Sequence, residues 1–105
     1  MMNVIYVPDA LWCLLKNIES SEPEMLVHFH GNNKAVVLLT DEDLADREAE
    51  SNDGYTPYRF TNRSEATDFL LGAMNAGITH ASIDPSKREQ LVPIQELLRS
   101  IQNPI

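Results

Sequence analysis

The chain has 105 residues, one cysteine and a formal net charge of −8, which leaves room for one domain with one core and rules out an internal disulfide or a thiolate cluster. No run approaches the roughly 20 apolar residues of a membrane span, and the opening MMNVIYVPD lacks the basic n-region of a secretion signal, so a cytoplasmic protein is expected. The eight Lys and Arg residues are scattered, which argues against nucleic acid, whose phosphates need a basic stripe.

In chain order, Val4 to Val7 is an apolar run ended by Pro8 and Asp9, and it predicts a strand. Leu11, Leu14, Leu15 and Ile18 follow at helical spacing, with Trp12 and Cys13 widening the apolar face, and predict a helix. Met25 to His30 and Ala35 to Leu39 flank Gly31-Asn32-Asn33-Lys34, residues tolerant of turn conformations, so a β-hairpin is expected with AVVLL as a buried central strand. Thr40 to Glu50 has a cap and an acidic first turn but only Leu44, Ala45 and Ala49 for apolar contact, which reads as a short surface helix. The residues at 51 to 54 are loop-formers, and the whole stretch near 41–54 is expected to be a flexible acidic segment of the single domain. Tyr55 to Phe60 reads as a strand that Pro57 assigns to an edge.

The stretch from Tyr58 to Pro85 is the most legible. Asn62 suits the cap of a helix, with Thr61 and Ser64 as alternative caps, and Glu65 three positions after Asn62 can reach back to a free backbone N–H. Ala66, Phe69, Leu70, Ala73 and Met74 line one helical face. Gly77 suits a left-handed stop, Ile78 to Ile83 resumes as a strand, and Asp84-Pro85 ends it. Ile94, Leu97, Leu98 and Ile101 predict a last helix, with Pro93 in its first turn. The order predicts an α+β single domain, a mixed sheet of about five strands with about three packed helices.

The pattern YTPYRFTNRSEATDFL, then GITHASIDP, then VPIQELLRSI resembles small bacterial domains of the SseB-like family over Tyr55 to Ile101, about half of the chain. The resemblance rests on apolar spacing and on the Asp84-Pro85 turn. It implies a small accessory or interaction domain, with no active site to carry over.

Candidate chemistry competes with plain structure. His28 and His30 are two apart on a predicted strand and share a sheet face, as a metal site would need. His80 is the available third ligand, yet nothing completes a known spacing, so no metal site is assigned. Cys13 among Leu11, Trp12, Leu14 and Leu15 has no evident base and reads as a buried structural thiol. Ser64, Ser82 and Ser86 lack a nucleophile-elbow setting. No catalytic residue and no cofactor are expected. Arg59, Thr61, Asn62, Arg63 and Ser64 gather at the start of the central helix, where free N–H groups favour an anion, although they also suffice as a cap flanked by solvated arginines.

Charge is the other signal. Asp41 to Asp53 holds seven of the 16 acidic residues and only Arg47 among the basic ones, hence −6 of the total −8. The run lacks the ligand order of a calcium loop. It is a solvated face or a surface for a basic partner, with Asp41, Glu42, Asp43 and Asp46 as the contact residues. The expected function is a non-enzymatic protein-interaction domain. The alternatives are an inhibitor or immunity-type protein against a basic target, and an enzyme or ligand-binding subunit built on the anion site.

Overall fold

The computed structural model describes residues 10–85, 87 and 89–102. Among them are seven strands and three helices: β1 Trp12–Lys16, β2 Glu24–Met25, β3 Val27–His30, β4 Asn33–Leu39, α1 Glu42–Ser51, β5 Tyr55–Arg59, α2 Arg63–Asn75, β6 His80–Ile83, β7 Gln90–Pro93 and α3 Ile94–Gln102. The class is α+β with one mixed sheet, as expected, but with seven strands instead of about five. The strand expected at Val4 to Val7 lies outside the described residues, as does Ser86.

The helix expected over Leu11 to Ile18 is instead β1, an interior strand that pairs with β4 and β2 on one side and β5 on the other. The reason is coverage of both sheet faces. Cys13 and Leu14 point to opposite sides and both have no exposed surface, and a strand buried on both faces reads as a continuous apolar run that mimics helical spacing.

β4 is the centre of the sheet. Ala35 to Leu39 are all fully buried, β6 runs parallel to β4 along one side, and β1 and β3 share the other side antiparallel. The hairpin forms with a turn of only Gly31 and Asn32, since His30 pairs with Asn33. Gly31 takes φ +63° at the first central position, which a type II′ turn reserves for glycine.

β1 and β4 pair only where Trp12 meets Leu39 and Cys13 meets Leu38. Beyond that point they part, and Glu24 to His30 fills the fork: β2 lies along β1 and β3 along β4. Leu26 is the apex, its N–H donating to Leu14 O on one side and its carbonyl accepting from Val37 N on the other. β5 and β7 close the two outer edges; Pro57 thus sits on an edge strand.

Alternation along the strands divides the core in two. On one face Cys13, Val36, Leu38, Ala81, Ile83 and Val92 pack under α2 and α3. On the other Leu14, Leu26, Val37 and Leu39 pack under Leu44 and Ala45 of α1. Each fully buried Leu or Val contributes roughly 1.5–3 kcal/mol of transfer free energy.

α2 follows its sequence signals closely. The Asn62 side chain accepts from Glu65 N at 2.9 Å. At the other end Gly77, at φ +87°, donates to Met74 O while Ile78 N donates to Ala73 O, the paired bonds of a Schellman stop. Ala66, Leu70 and Ala73 are buried, but Phe69 and Met74, expected in the same stripe, are only partly so. Ile94, Leu97, Leu98 and Ile101 of α3 are all buried. Pro93 is the last residue of β7 and not part of the helical first turn, because Ile94 N donates to Thr79 O and keeps the chain on the sheet up to that residue.

Candidate functional site

The acidic stretch is a helix seated on the sheet. The Asp41 side chain caps α1 by accepting from Asp43 N at 2.8 Å, and Glu42 and Asp43 occupy the first turn, where carboxylates suit the helix dipole. Leu44, Ala45, Glu48 and Ala49 turn inward, with Glu48 only 7% exposed. Asp41, Glu42, Asp43, Asp46 and Glu50 are exposed. Among the described residues the one contact at salt-bridge distance is between the His30 imidazole and Glu89, at 3.4 Å, so none of the five outward carboxylates is matched by a cation there.

The proposed anion residues are only partly gathered. Thr61, Asn62, Arg63 and Ser64 surround the start of α2 and are exposed. Arg59 pairs with Trp12 across β5 and β1 and lies over the Trp12 ring at 5.6 Å, on the face opposite α2. The helix start has a carboxylate of its own: Glu65 accepts from Thr61 N at 2.7 Å, from Thr61 Oγ1 at 3.3 Å and from Tyr58 Oη at 2.6 Å. These bonds, led by the Tyr58 hydroxyl, hold the Glu65 carboxyl below its ordinary range, and the same bond raises the Tyr58 hydroxyl.

The three histidines share one sheet face. His28 and His80 both pair with Ala35, from opposite sides, so their Cα atoms are about 10 Å apart, two strand spacings. His80 Nδ1 meets Thr79 Oγ1 at 2.7 Å. His30 reaches Glu89, whose same oxygen accepts from Ser82 Oγ at 2.5 Å. Among the described residues no group of three or more His, Cys, Asp or Glu is placed to hold a metal ion.

Glu89 was not singled out by the sequence, since its partners come from strands far apart in the chain. The arrangement sets the carboxylate between hydroxyl and imidazole, so the imidazole is not placed to take the Ser82 proton. Ser82 is also fully buried. It is a structural clamp from β6 to the β6–β7 connection, not a nucleophile. Cys13 is equally inert: burial pushes its thiol up to about 12, far from the thiolate that nucleophilic attack requires.

An open cleft of about 490 Å³ lies at the fork, lined by both arms and by the C-terminal end of α2. Phe29, on its wall, is 72% exposed. Nothing in the sequence pattern marks this place, because the fork exists only once β1 and β4 have paired and parted.

Among the described residues no helix is long and apolar enough to cross a membrane. No protein-family model matches the chain, and no curated protein matches it.

Proposed function

We propose that the chain is a non-catalytic protein-interaction domain of the cytoplasm that engages a basic surface of another protein through α1. The observation that carries this reading is the unmatched carboxylate face of Asp41, Glu42, Asp43 and Asp46, one end of which caps the helix while all four side chains stay exposed. Such a face steers a positively charged protein and repels nucleic acid and its phosphates. An accessory role is also what the SseB-like resemblance of Tyr55 to Ile101 implies. An inhibitor or immunity-type protein is the tighter form of the same reading. A small-anion-binding subunit has less support, because Glu65 already sets a carboxylate against the start of α2.

The test is to identify the protein that co-purifies in stoichiometric amount with the native chain, then to follow their association as ionic strength is raised. Steep slowing is expected, since the Debye length is about 8 Å at physiological salt. The variant Asp41→Asn, Glu42→Gln, Asp43→Asn, Asp46→Asn should stay folded and reproduce the loss. Unchanged association of that variant at every salt concentration would overturn the reading.

A further inference from the structure

A strand edge presents unpaired backbone groups, and folded chains usually block such edges. Antiparallel ladders alternate bonded and non-bonded pairs, so one known bond fixes which residues face outward along a strand. Phe60 N donates to Leu11 O, which turns Tyr55, Pro57 and Arg59 of β5 outward. Ile94 N donates to Thr79 O, which turns Leu91 and Pro93 of β7 outward. Leu26 N donates to Leu14 O, which turns Met25 of β2 and the preceding Pro23 into the fork. A proline stands at an outward position of each of these three edges, where its missing N–H removes a donor.

β3 is the exception. The two-residue turn makes His30 and Asn33 a bonded pair, and Val37 N donating to Leu26 O confirms the phase. Val27 and Phe29 therefore direct their N–H and C=O groups away from β4 and into the fork, with no proline among them. The Phe29 side chain, the most exposed of the large apolar side chains among the described residues, stands beside Val27, Met25, Ala76 and Ile78 in the cleft.

We propose that the fork is a peptide-binding cleft in which an extended basic segment of another protein adds to β3 as a strand. Its backbone pairs with the two donors and two acceptors of Val27 and Phe29, and one apolar side chain lies against Phe29 and Ile78. Charge argues for a basic segment: Glu24 lines the cleft, exposed Glu22 directly precedes the lining Pro23, and exposed Asp53 lies two residues before the lining Tyr55. Of the nearby cations, Lys34 lines the cleft and Lys16 is drawn over the Tyr55 ring at 5.7 Å. A second copy of this chain, itself carrying −8, is the wrong charge. The inference shares with the α1 reading only the sign of the partner's charge, and it uses a different surface.

The probe is an acetylated, amidated heptapeptide of alternating Lys and Val, titrated into the full-length isotope-labelled chain. Binding should be saturable and should slow amide exchange of Val27 and Phe29 by at least about tenfold. N-methylation of alternate peptide nitrogens, replacement of its Lys by Glu, and Phe29→Ala in the protein should each weaken binding by about tenfold. The α1 variant neutralised at Asp41, Glu42, Asp43 and Asp46 should bind the peptide to within about twofold of the wild type, which separates this site from the α1 face. Absence of binding, shifts confined to α1, or indifference to N-methylation would overturn the proposal. So would protection of Val27 and Phe29 that grows with protein concentration without peptide, which would make the occupant a second copy.

Discussion

The Asp84 carboxylate accepts both from Thr40 N at 2.9 Å and from Thr40 Oγ1 at 2.6 Å, across 44 residues of chain. It ties the C-terminal ends of the two parallel strands β4 and β6 together and fixes the chain where it leaves the sheet for α1. Asp84 holds φ +52°, a left-handed conformation, while its own N–H donates to Leu38 O. Asp and Asn tolerate that conformation better than most residues.

Asp84→Ala should therefore destabilise the fold by about 2–3 kcal/mol, through loss of two hydrogen bonds from a partly buried donor pair and a strained alanine. Asp84→Gly removes the same bonds but relieves the backbone, so it should be less damaging than Asp84→Ala by roughly 0.5–1 kcal/mol in urea unfolding. A glycine variant less stable than the alanine variant would refute the account.

The Tyr58, Thr61 and Glu65 network makes stability depend on pH. Glu65 is held below its ordinary 4.5, first by the Tyr58 hydroxyl and then by Thr61 N. A depressed carboxyl stabilises the fold fully above about pH 4.5, and that contribution is lost as the pH falls through the lower folded value. Tyr58→Phe keeps the ring, which meets Phe60 edge-on at 6.0 Å, and removes the hydroxyl. Urea midpoints of wild type and Tyr58→Phe should differ at neutral pH and converge in acid. On the alkaline side the raised Tyr58 acts oppositely, contributing below its ordinary 10.0 and losing that contribution as the pH rises through its folded value.

Much of α2 is readable in the sequence, because caps, stripes and stops are local; of the network only the reach-back of Glu65 is expected, whereas its partners turn out to be Thr61 N and the Tyr58 hydroxyl. Asn62, Glu65, Gly77 and the Ala66–Leu70–Ala73 stripe need only their neighbours in the chain. β1 carries no strand signal of its own, because burial on both faces erases the alternation that identifies a strand. β7 is four residues long and mostly exposed, too short to carry a period. The break at Leu26, the Asp84–Thr40 tie and the Ser82–Glu89–His30 clamp depend on pairing between distant segments, so no local pattern announces them. The open edge of β3 is invisible for the same reason: alternation shows which way side chains point, but not which backbone groups remain unpaired.

The position of Cys13 gives a test of β1. A fully buried thiol raised to about 12 should react with an aromatic disulfide reagent at pH 8 only through opening of the core. Labelling in the native state should be at least about a thousandfold slower than in urea. A helix on the surface would leave it far more accessible, so rapid native labelling would reject the interior strand.

The register of α2 is tested by three neighbouring side chains. Leu70 is fully buried, Phe69 is partly buried and tilted against Phe60 with centroids 5.1 Å apart, and Asp68 is exposed. Leu70→Ala should cost about 2–5 kcal/mol, Phe69→Ala less than the roughly 3–5 kcal/mol of a fully buried aromatic, and Asp68→Ala within about 0.5 kcal/mol of zero. Equal losses at the three positions in denaturant unfolding would show that the helix face is wrong.

Amide exchange should divide the acidic stretch in two. Leu44 and Ala45 are buried against Leu14, Val37 and Leu39, and Ala45 N donates to Asp41 O in the first turn of a capped helix. Asn52 to Gly54 is a turn closed by Tyr55 N donating to Asn52 O at 3.2 Å, with Asp53 and Gly54 exposed. Protection should therefore be measurable from about Glu48 to Ser51, whose N–H groups bond within the helix, and absent at Asp53 and Gly54, where opening needs no apolar contact to break. The value at Glu48 to Ser51 should remain below that of Val36 to Leu39, since α1 is anchored only along its inward face, by Leu44, Ala45, Glu48 and Ala49, while β4 is bonded on both sides. Exchange as fast at Glu48 as at Gly54 would mean that the helix is not seated, and the carboxylates of Asp41, Glu42, Asp43 and Asp46 would then lose the fixed geometry on which a steering surface depends.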